Sequence, residues 1–410
     1  MMTQPNHAPV LESVPLARLR RAALDGDLAA AFQLGRCLAR GWGGPCDETQ
    51  AFEWYLYAAR AGHDDAAFSA ARLWLRRAGS AESADDVRYA LQRAAYGGHV
   101  EAQALLGWCY QRGRLVGSPD LAAAIEWLQR AARAGSASGR YFLALNQQCG
   151  HGLPRDERAA AALLELAAEQ GDARAQLALG RALGEGRGVA QDPQAALAWH
   201  RASASRGYRR AQYDLGLLLA GGAGSEQDDE EAACWIHAAA EQGLARAQFT
   251  LASLYERGLG LVQDPQLAQQ WLERAARAGH AKSQWRLYRW LKRAGQSAAS
   301  LRWLQAAAES GYVRAQFSFA RHYLGSGDNG AHERAYSWFQ RAAGSGHAQA
   351  SYCVGVCHYR GVGTECDPLE AYRWFQRAAQ QGSSTAAAAL ERLAGRLGPD
   401  PLTQARDPAS

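Results

Sequence analysis

The sharpest chemical spacing in this 410-residue chain belongs to four of its eight cysteines. Cys37 and Cys46 stand nine residues apart, and so do Cys357 and Cys366. In both pairs the first cysteine falls on a helical stretch and the second in the turn that folds back beside it, so each pair could close a disulfide. Cys353, Cys357, His358 and Cys366 also gather soft ligands in one stretch. Structural zinc draws on two close ligand pairs, and no second close pair accompanies these, so no metal is expected. Eight cysteines are too few for a disulfide-built scaffold at this length. Met1 to Glu12 shows no charged segment followed by an apolar run, so no export signal is expected. Reduced thiols are the favoured state, with the two bridges as the alternative.

Catalytic constellations are missing. There is no HExxH, no phosphate-binding glycine loop and no GxSxG between a strand and a helix. His63, His99, His280 and His347 each follow a glycine, which suits helix caps in turns better than proton transfer. Acidic neighbours such as Asp228 and Asp229 fall in connections and are expected to be solvated. Neither an enzyme nor a cofactor is expected.

A different set of residues is suited to recognition. Phe32, Phe68, Tyr141, Tyr213, Phe249, Trp285, Phe317 and Tyr352 share one recurring position with Leu177. Four residues further on stand Arg36, Arg72, Arg181, Arg289 and Arg321, with Trp108 in the same place in another unit. That spacing stacks Phe32 with Arg36, Phe68 with Arg72, Trp285 with Arg289 and Phe317 with Arg321 on one helix face. Aromatic rings supply apolar area and guanidinium groups grip carboxylates, and both are enriched at binding hot spots. The competing reading packs the aromatics into the core, which their helical spacing favours. The arginines would then be solvated or paired with glutamates, and for them both readings stand.

The elements that carry these residues repeat. A glycine closing an alanine-rich segment recurs at Gly26, Gly62, Gly98, Gly135, Gly171, Gly207, Gly243, Gly279, Gly311, Gly346 and Gly382, mostly 36 residues apart. Tryptophan stands eight residues before it at Trp54, Trp127, Trp199, Trp235, Trp271, Trp303, Trp338 and Trp374. Each unit holds two helical stretches. In the second, Leu267, Trp271, Leu272 and Ala275 form one apolar stripe. Asp264 before Pro265 reads as a helix start and Gly279 as a stop. Gly35, Gly107, Gly180, Gly216 and Gly355, with Ala144, Ala252 and Ala320, hold a small position on the first stretch. Close approach of the two helices is expected there, with the tryptophan packed nearby.

The pattern A-Q-x-x-L-G-x-x-Y-x-x-G-x-G-V-x-x-D, then A-x-x-W-x-x-x-A-A-x-x-G, resembles the Sel1-like repeat, a relative of the tetratricopeptide repeat. Ala247, Gln248, Leu251, Tyr255, Gly258, Gly260, Asp264, Ala268, Trp271, Ala275, Ala276 and Gly279 match it. The resemblance implies an all-α fold, a right-handed α/α superhelical solenoid of about ten helix-pair repeats with terminal capping helices. Its expected bounds are a flexible segment over 1–13, the solenoid over 14–395 and a flexible tail over 396–410. Within the solenoid, 14–26 and 383–395 are the caps and 27–382 the repeats. Two units depart from the pattern, one at WLRRAG (Trp74 to Gly79) and one at WLKRAG (Trp290 to Gly295). Both lack the glycine-rich turn, and they occupy equivalent places 216 residues apart.

Similarity to tetratricopeptide repeats implies that the first helix of each pair lines a concave docking face, on which the aromatic and arginine positions would bind a partner. The expected function is a non-catalytic scaffold or adaptor for a partner protein or peptide. The alternatives are a bacterial immunity or inhibitor protein that neutralises a toxin or effector, and a β-lactamase-like hydrolase. The absence of Ser-x-x-Lys counts against the last. Disulfides known in the family sit at a different point of the repeat.

Charge narrows the partners. Forty-five basic and 40 acidic residues leave a net charge of +5, interleaved without a visible basic patch or tail, so no nucleic acid is expected. Nearly all the basic residues are arginine, with Lys282 and Lys292 the only lysines. No run approaches the roughly 18 apolar residues that span a bilayer. A cytoplasmic monomer, not inserted in a membrane, is the expectation.

Overall fold

Alanine-rich runs closed at both ends by capping residues give short helices of nearly uniform length. The computed structural model describes residues 16–77, 83–114, 117–221, 226–326 and 330–397. In chain order the helices are α1 (Leu16–Leu24), α2 (Leu28–Arg40), α3 (Glu48–Arg60), α4 (Asp64–Arg76), α5 (Ala84–Tyr96), α6 (Val100–Arg112), α7 (Leu121–Arg133) and α8 (Ala137–Cys149). They continue with α9 (Glu157–Glu169), α10 (Ala173–Glu185), α11 (Pro193–Ser205), α12 (Arg209–Ala220), α13 (Glu226–Glu241), α14 (Ala245–Arg257) and α15 (Pro265–Arg277). The last are α16 (Ala281–Arg293), α17 (Ser297–Glu309), α18 (Val313–Leu324), α19 (Ala331–Gly344), α20 (Ala348–Arg360), α21 (Pro368–Gln380) and α22 (Ser384–Leu397). No strand occurs among the described residues.

Helices α2 to α21 form ten successive pairs of an all-α solenoid, with α1 before the first pair and α22 after the last. The chain divides into two compact units, Met1–Leu215 and Gly216–Ser410. The ends expected to be flexible, 1–13 and 396–410, lie outside the described residues, except that α22 runs on to Leu397.

Local chemistry sets each helix end. Asp47, Asp120, Asp156, Asp192, Asp264 and Asp367 accept hydrogen bonds from the first free N–H groups of the second helices, and Pro193, Pro265 and Pro368 follow at the first turn. First helices are capped at the same station by Asp27, Ser136 and Asp172, and by histidine. The Nδ1 atoms of His63, His99 and His347 accept from the N–H groups of Ala66, Ala102 and Ala350 at 3.3, 3.0 and 3.1 Å. Capping is thus what these histidines do. At the other end Gly186 and Gly258, both at φ 68°, stop their helices in the left-handed region.

Within a pair, the small position of the first helix meets the residue that follows the tryptophan, not the tryptophan itself. A Cβ added at Gly35 would stand 2.7 Å from the Tyr55 ring, at Gly107 2.8 Å from Leu128, at Gly180 2.6 Å from His200 and at Gly355 2.6 Å from Phe375. Trp338 packs edge-on against Phe319 of its own pair, beside the small Ala320, at 5.4 Å, whereas Trp127 and Trp271 turn toward the preceding repeat. Trp127 packs edge-on against Tyr96 at 4.9 Å and Trp271 against His237 at 5.6 Å. The expectation of a tryptophan near the small residue holds at Ala320 and is corrected for Trp127 and Trp271: one residue along a helix is a turn of about 100°, enough to exchange the partner helix for the neighbouring repeat.

Two further contacts join repeats. The Nε2 groups of Gln103, Gln176, Gln248, Gln284 and Gln316 donate to the carbonyls of Ala95, Ala168, Ala240, Ala276 and Ala308, tying each first helix to the second helix before it at 3.0–3.3 Å. The turn inside a pair also presses its second glycine onto the start of the preceding second helix. A Cβ on Gly188 would fall 2.0 Å from the Glu157 carbonyl oxygen, and one on Gly260 2.0 Å from that of Asp229. Only glycine fits such an approach.

Candidate functional site

The recurring aromatics serve the junctions between repeats. Phe32 lies 4.8 Å from the ring of His63, Phe68 5.6 Å from His99, Phe249 4.9 Å from His280 and Phe317 4.7 Å from His347. Each packs against the residue at the N-cap position of the next first helix, and Phe317 stacks on it. Trp285 meets Tyr312 at the same station, at 5.8 Å. All are half-buried, and Leu177 is buried. Tyr213 and Tyr352 are half-buried too, the latter against Phe375 at 5.5 Å.

The arginines differ among themselves. Arg36 lies over Phe32 at 5.9 Å and Arg72 over Phe68 at 5.4 Å, so these two pairs stack as cation–π contacts. Arg181 is spent on Asp214, its Nε 3.0 Å from Oδ2. Arg289 and Arg321 are exposed and make no ion pair among the described residues.

In the first unit the first helices enclose a groove of about 920 Å³. Four of the expected binding residues line it: Phe68, Arg72, Trp108 and Tyr141. Arg76, Phe142 and Arg174 line it as well. A recess of about 260 Å³ shares Arg72 and Arg76 and adds Phe32, Arg36 and Tyr55. Arg174 spans the rings of Tyr141 and Phe142 at 4.9 and 5.0 Å while its Nη2 holds Asp172 at 2.5 Å. Burial pushes the Tyr141 phenol above its usual range, so it stays a neutral hydroxyl. The site therefore combines an aromatic floor with guanidinium groups, Arg72 and Arg76 being exposed and Arg76 paired with Glu48 at its edge.

A model of the Sel1 repeat matches residues 28–63, 100–136, 137–172, 173–208, 209–244, 245–280, 296–312, 318–347 and 348–383. The chain belongs to the Sel1 repeat family. The Sel1 match passes over 64–99 and 281–295, the second repeat and the first helix of the eighth, which are the two places where the glycine-rich turn is missing. A crystallised Sel1 repeat protein from Oxalobacter formigenes is 30% identical, with a TM-score of 0.53 over 77% of this chain and 91% of its own. The protective antigen c5321 of uropathogenic Escherichia coli, which displays an SLR fold, is 28% identical, with a TM-score of 0.49 over 93% and 82%. The immunity protein Pa5087 of Pseudomonas aeruginosa is 21% identical, with a TM-score of 0.34 over 50% and 82%. No curated protein matches the chain.

The cysteines hold ordinary stations of these Sel1 repeats. All eight are free thiols. Cys46 and Cys366 donate to the carbonyls of Ala39 and Tyr359 at 3.4 and 3.5 Å. Gln191 and Gln263 do the same for Gly184 and Glu256 in other repeats. Cys37, like Cys357, is buried in its helix, and burial pushes the Cys353 and Cys357 thiols up to about 11 and that of Cys109 to about 12. Such thiols stay protonated and are poor nucleophiles. Among the described residues no group of three His, Cys, Asp or Glu could hold a metal, and no helix is long and apolar enough to cross a membrane.

Sequence reasoning missed Arg76 and Arg174, though a signal existed for both. Arg76 extends the Phe68–Arg72 face by one further turn, as Arg40 extends that of Phe32 and Arg36. Arg174 precedes the recurring aromatic position by three residues, and Arg210, Arg246, Lys282 and Arg314 hold that place in the next four repeats.

Proposed function

We propose that this Sel1 repeat protein is a non-catalytic scaffold that captures a partner protein or peptide in the groove of its first unit. The observation that carries this reading is the convergence of Phe68, Trp108 and Tyr141 with the guanidinium groups of Arg72 and Arg76 in one open groove of about 920 Å³. Aromatic and arginine side chains supply most of the energy at protein interfaces.

The test pairs wild-type protein with an Arg72→Ala/Trp108→Ala variant as baits in a lysate of the source organism, retained proteins being quantified by mass spectrometry. Both side chains reach the surface, so helicity is expected to be unchanged by circular dichroism. A protein held by the wild type and reduced about tenfold or more on the variant supports the groove. Equal retention on both baits rejects it.

A further inference from the structure

The second unit carries a surface that the linear sequence conceals. Its first helices α14, α16 and α18 hold nine lysines and arginines and one carboxylate, Glu256. On α16 alone, Lys282, Arg286, Arg289 and Arg293 follow one another at intervals of four, three and four, which places them on a single stripe. Arg246 on α14 and Arg314 on α18 share the register of Lys282, and Arg321 shares that of Arg289. Arg286 reaches Ser253 on α14, and Trp285 meets Tyr312, the residue before α18, at 5.8 Å, so the three helices are neighbours and the rows run across them. Arg246, Arg257, Lys282, Arg289, Arg293, Arg314 and Arg321 are exposed. Arg286 is the exception: it reaches back to Glu256 and to Ser253 Oγ, at 3.2 Å from the latter.

Beside this band lies an opening in the eighth repeat. In regular repeats the glycine-rich turn covers the start of the preceding second helix, as Gly188 covers Glu157. Between α16 and α17 that turn is reduced to Ala294, Gly295 and Gln296. A recess of about 250 Å³ remains where it would have lain, lined by Pro265, Ala268, Leu272, Leu287 and Trp290 and edged by the Arg286–Glu256 ion pair. Trp290 is 46% exposed.

We infer that this face of the second unit binds an extended acidic polypeptide segment, with one large apolar side chain of the segment seated in the recess beside Trp290. The charge of the band is complementary to carboxylates, and arginine binds them through two parallel N–H groups. Spacing fits as well: neighbouring packed helices lie about 10 Å apart, and three residues of an extended chain cover about the same distance. Carboxylates at every third position therefore meet successive rows. A single-stranded nucleic acid fits less well, because its bases require free ring faces for stacking. Phe317 already stacks on His347, and Phe249 and Trp285 are half-buried against His280 and Tyr312.

The experiment measures fluorescence anisotropy of a labelled peptide of about twelve residues, long enough to cross three helices, with glutamate at every third position and one phenylalanine. The full chain is expected to bind it, more weakly as salt rises. Lys282→Glu/Arg289→Glu/Arg321→Glu is expected to weaken binding about tenfold or more, with the circular dichroism spectrum unchanged. Trp290→Ala, or alanine in place of the peptide's phenylalanine, is expected to weaken it about fivefold or more, and the two changes together no further than either alone. Arg72→Ala/Trp108→Ala in the first unit is expected to leave peptide binding intact, which separates this surface from the groove proposed above. No binding, binding untouched by the charge reversals, or tighter binding of a single-stranded oligonucleotide of equal charge would each overturn the inference.

Discussion

The regular repeat formed by α10 and α11 and the eighth repeat formed by α16 and α17 solve the same packing problem in opposite ways. In the regular pair a glycine at the small position, Gly180, lets His200 approach, and a two-glycine turn clasps the preceding repeat. In the eighth, Tyr288 stands where glycine or alanine stands elsewhere, buried with Leu304, and the clasp is gone. The eighth repeat thus fills its pair from the first helix rather than the second. It leaves its junction open at Trp290, and its first helix carries five basic residues and no acidic one. The same helix-pair plan can therefore be closed as a structural spacer or opened as a surface.

The largest test of this contrast is Gly188→Ala. The new Cβ would fall within 2.0 Å of a backbone carbonyl at φ 72°, and a loss above about 3 kcal/mol is expected from urea unfolding. Gly43→Ala, at a turn that meets only the Leu16 side chain at 3.4 Å, is expected to cost about 1 kcal/mol. Equal losses would dissolve the distinction between a clasp and a free turn. Next comes Tyr288→Ala, expected to cost about 3 kcal/mol through the cavity it leaves. Gly355→Ala is expected to cost about 2 kcal/mol through overpacking against Phe375. A stable Tyr288→Ala protein would show that the eighth pair is not filled from its first helix.

A smaller effect separates the histidine caps. Burial holds the His347 imidazole below its ordinary value of 6.5, and its Nδ1 must be unprotonated to accept the Ala350 N–H. The unfolded chain takes up the proton first, so this contribution is full above about pH 6.5 and falls away as pH drops through the lower folded value. Melting curves from pH 7.5 to 5 are expected to show a loss of about 1 kcal/mol that His347→Asn flattens. His280 heads the open eighth repeat, and its Nδ1 engages Ser283 Oγ at 2.8 Å instead of a backbone N–H. Its imidazole too is held below the ordinary value, by burial first and then by Lys282 and Arg246. Replacing it with asparagine is therefore expected to flatten the curve as well, though no backbone cap is lost. Smallest of all, Trp290→Ala is expected to change stability by less than about 0.5 kcal/mol. A larger loss would mean that Trp290 closes the junction after all.

Much of the fold was legible because its signals are local. Asp264 before Pro265, or Gly62 before His63, can be read within a few residues, since capping is settled by the nearest N–H groups. The side chain that fills the small position was not legible at this level. Tyr55 and Trp54 differ by one residue, and their choice of neighbour depends on how repeats stack. The basic band escaped notice for a related reason. Arg246, Lys282 and Arg314 lie about a repeat apart in the chain, and the second helices between them supply acids such as Glu273 and Glu309 that balance the composition. Linear interleaving of charge and segregation of charge in space are compatible when the chain returns to the same face at every repeat.

The amide ties of Gln103, Gln176, Gln248, Gln284 and Gln316 each cross a single junction and reach no further. A chain fastened in this way has no master bolt. Under a stretching force the weakest joint parts first, and its neighbours keep their own fastenings until their turn comes. Extension then arrives in steps, each releasing one length of about 36 residues, so the molecule can lengthen greatly while most of it stays folded.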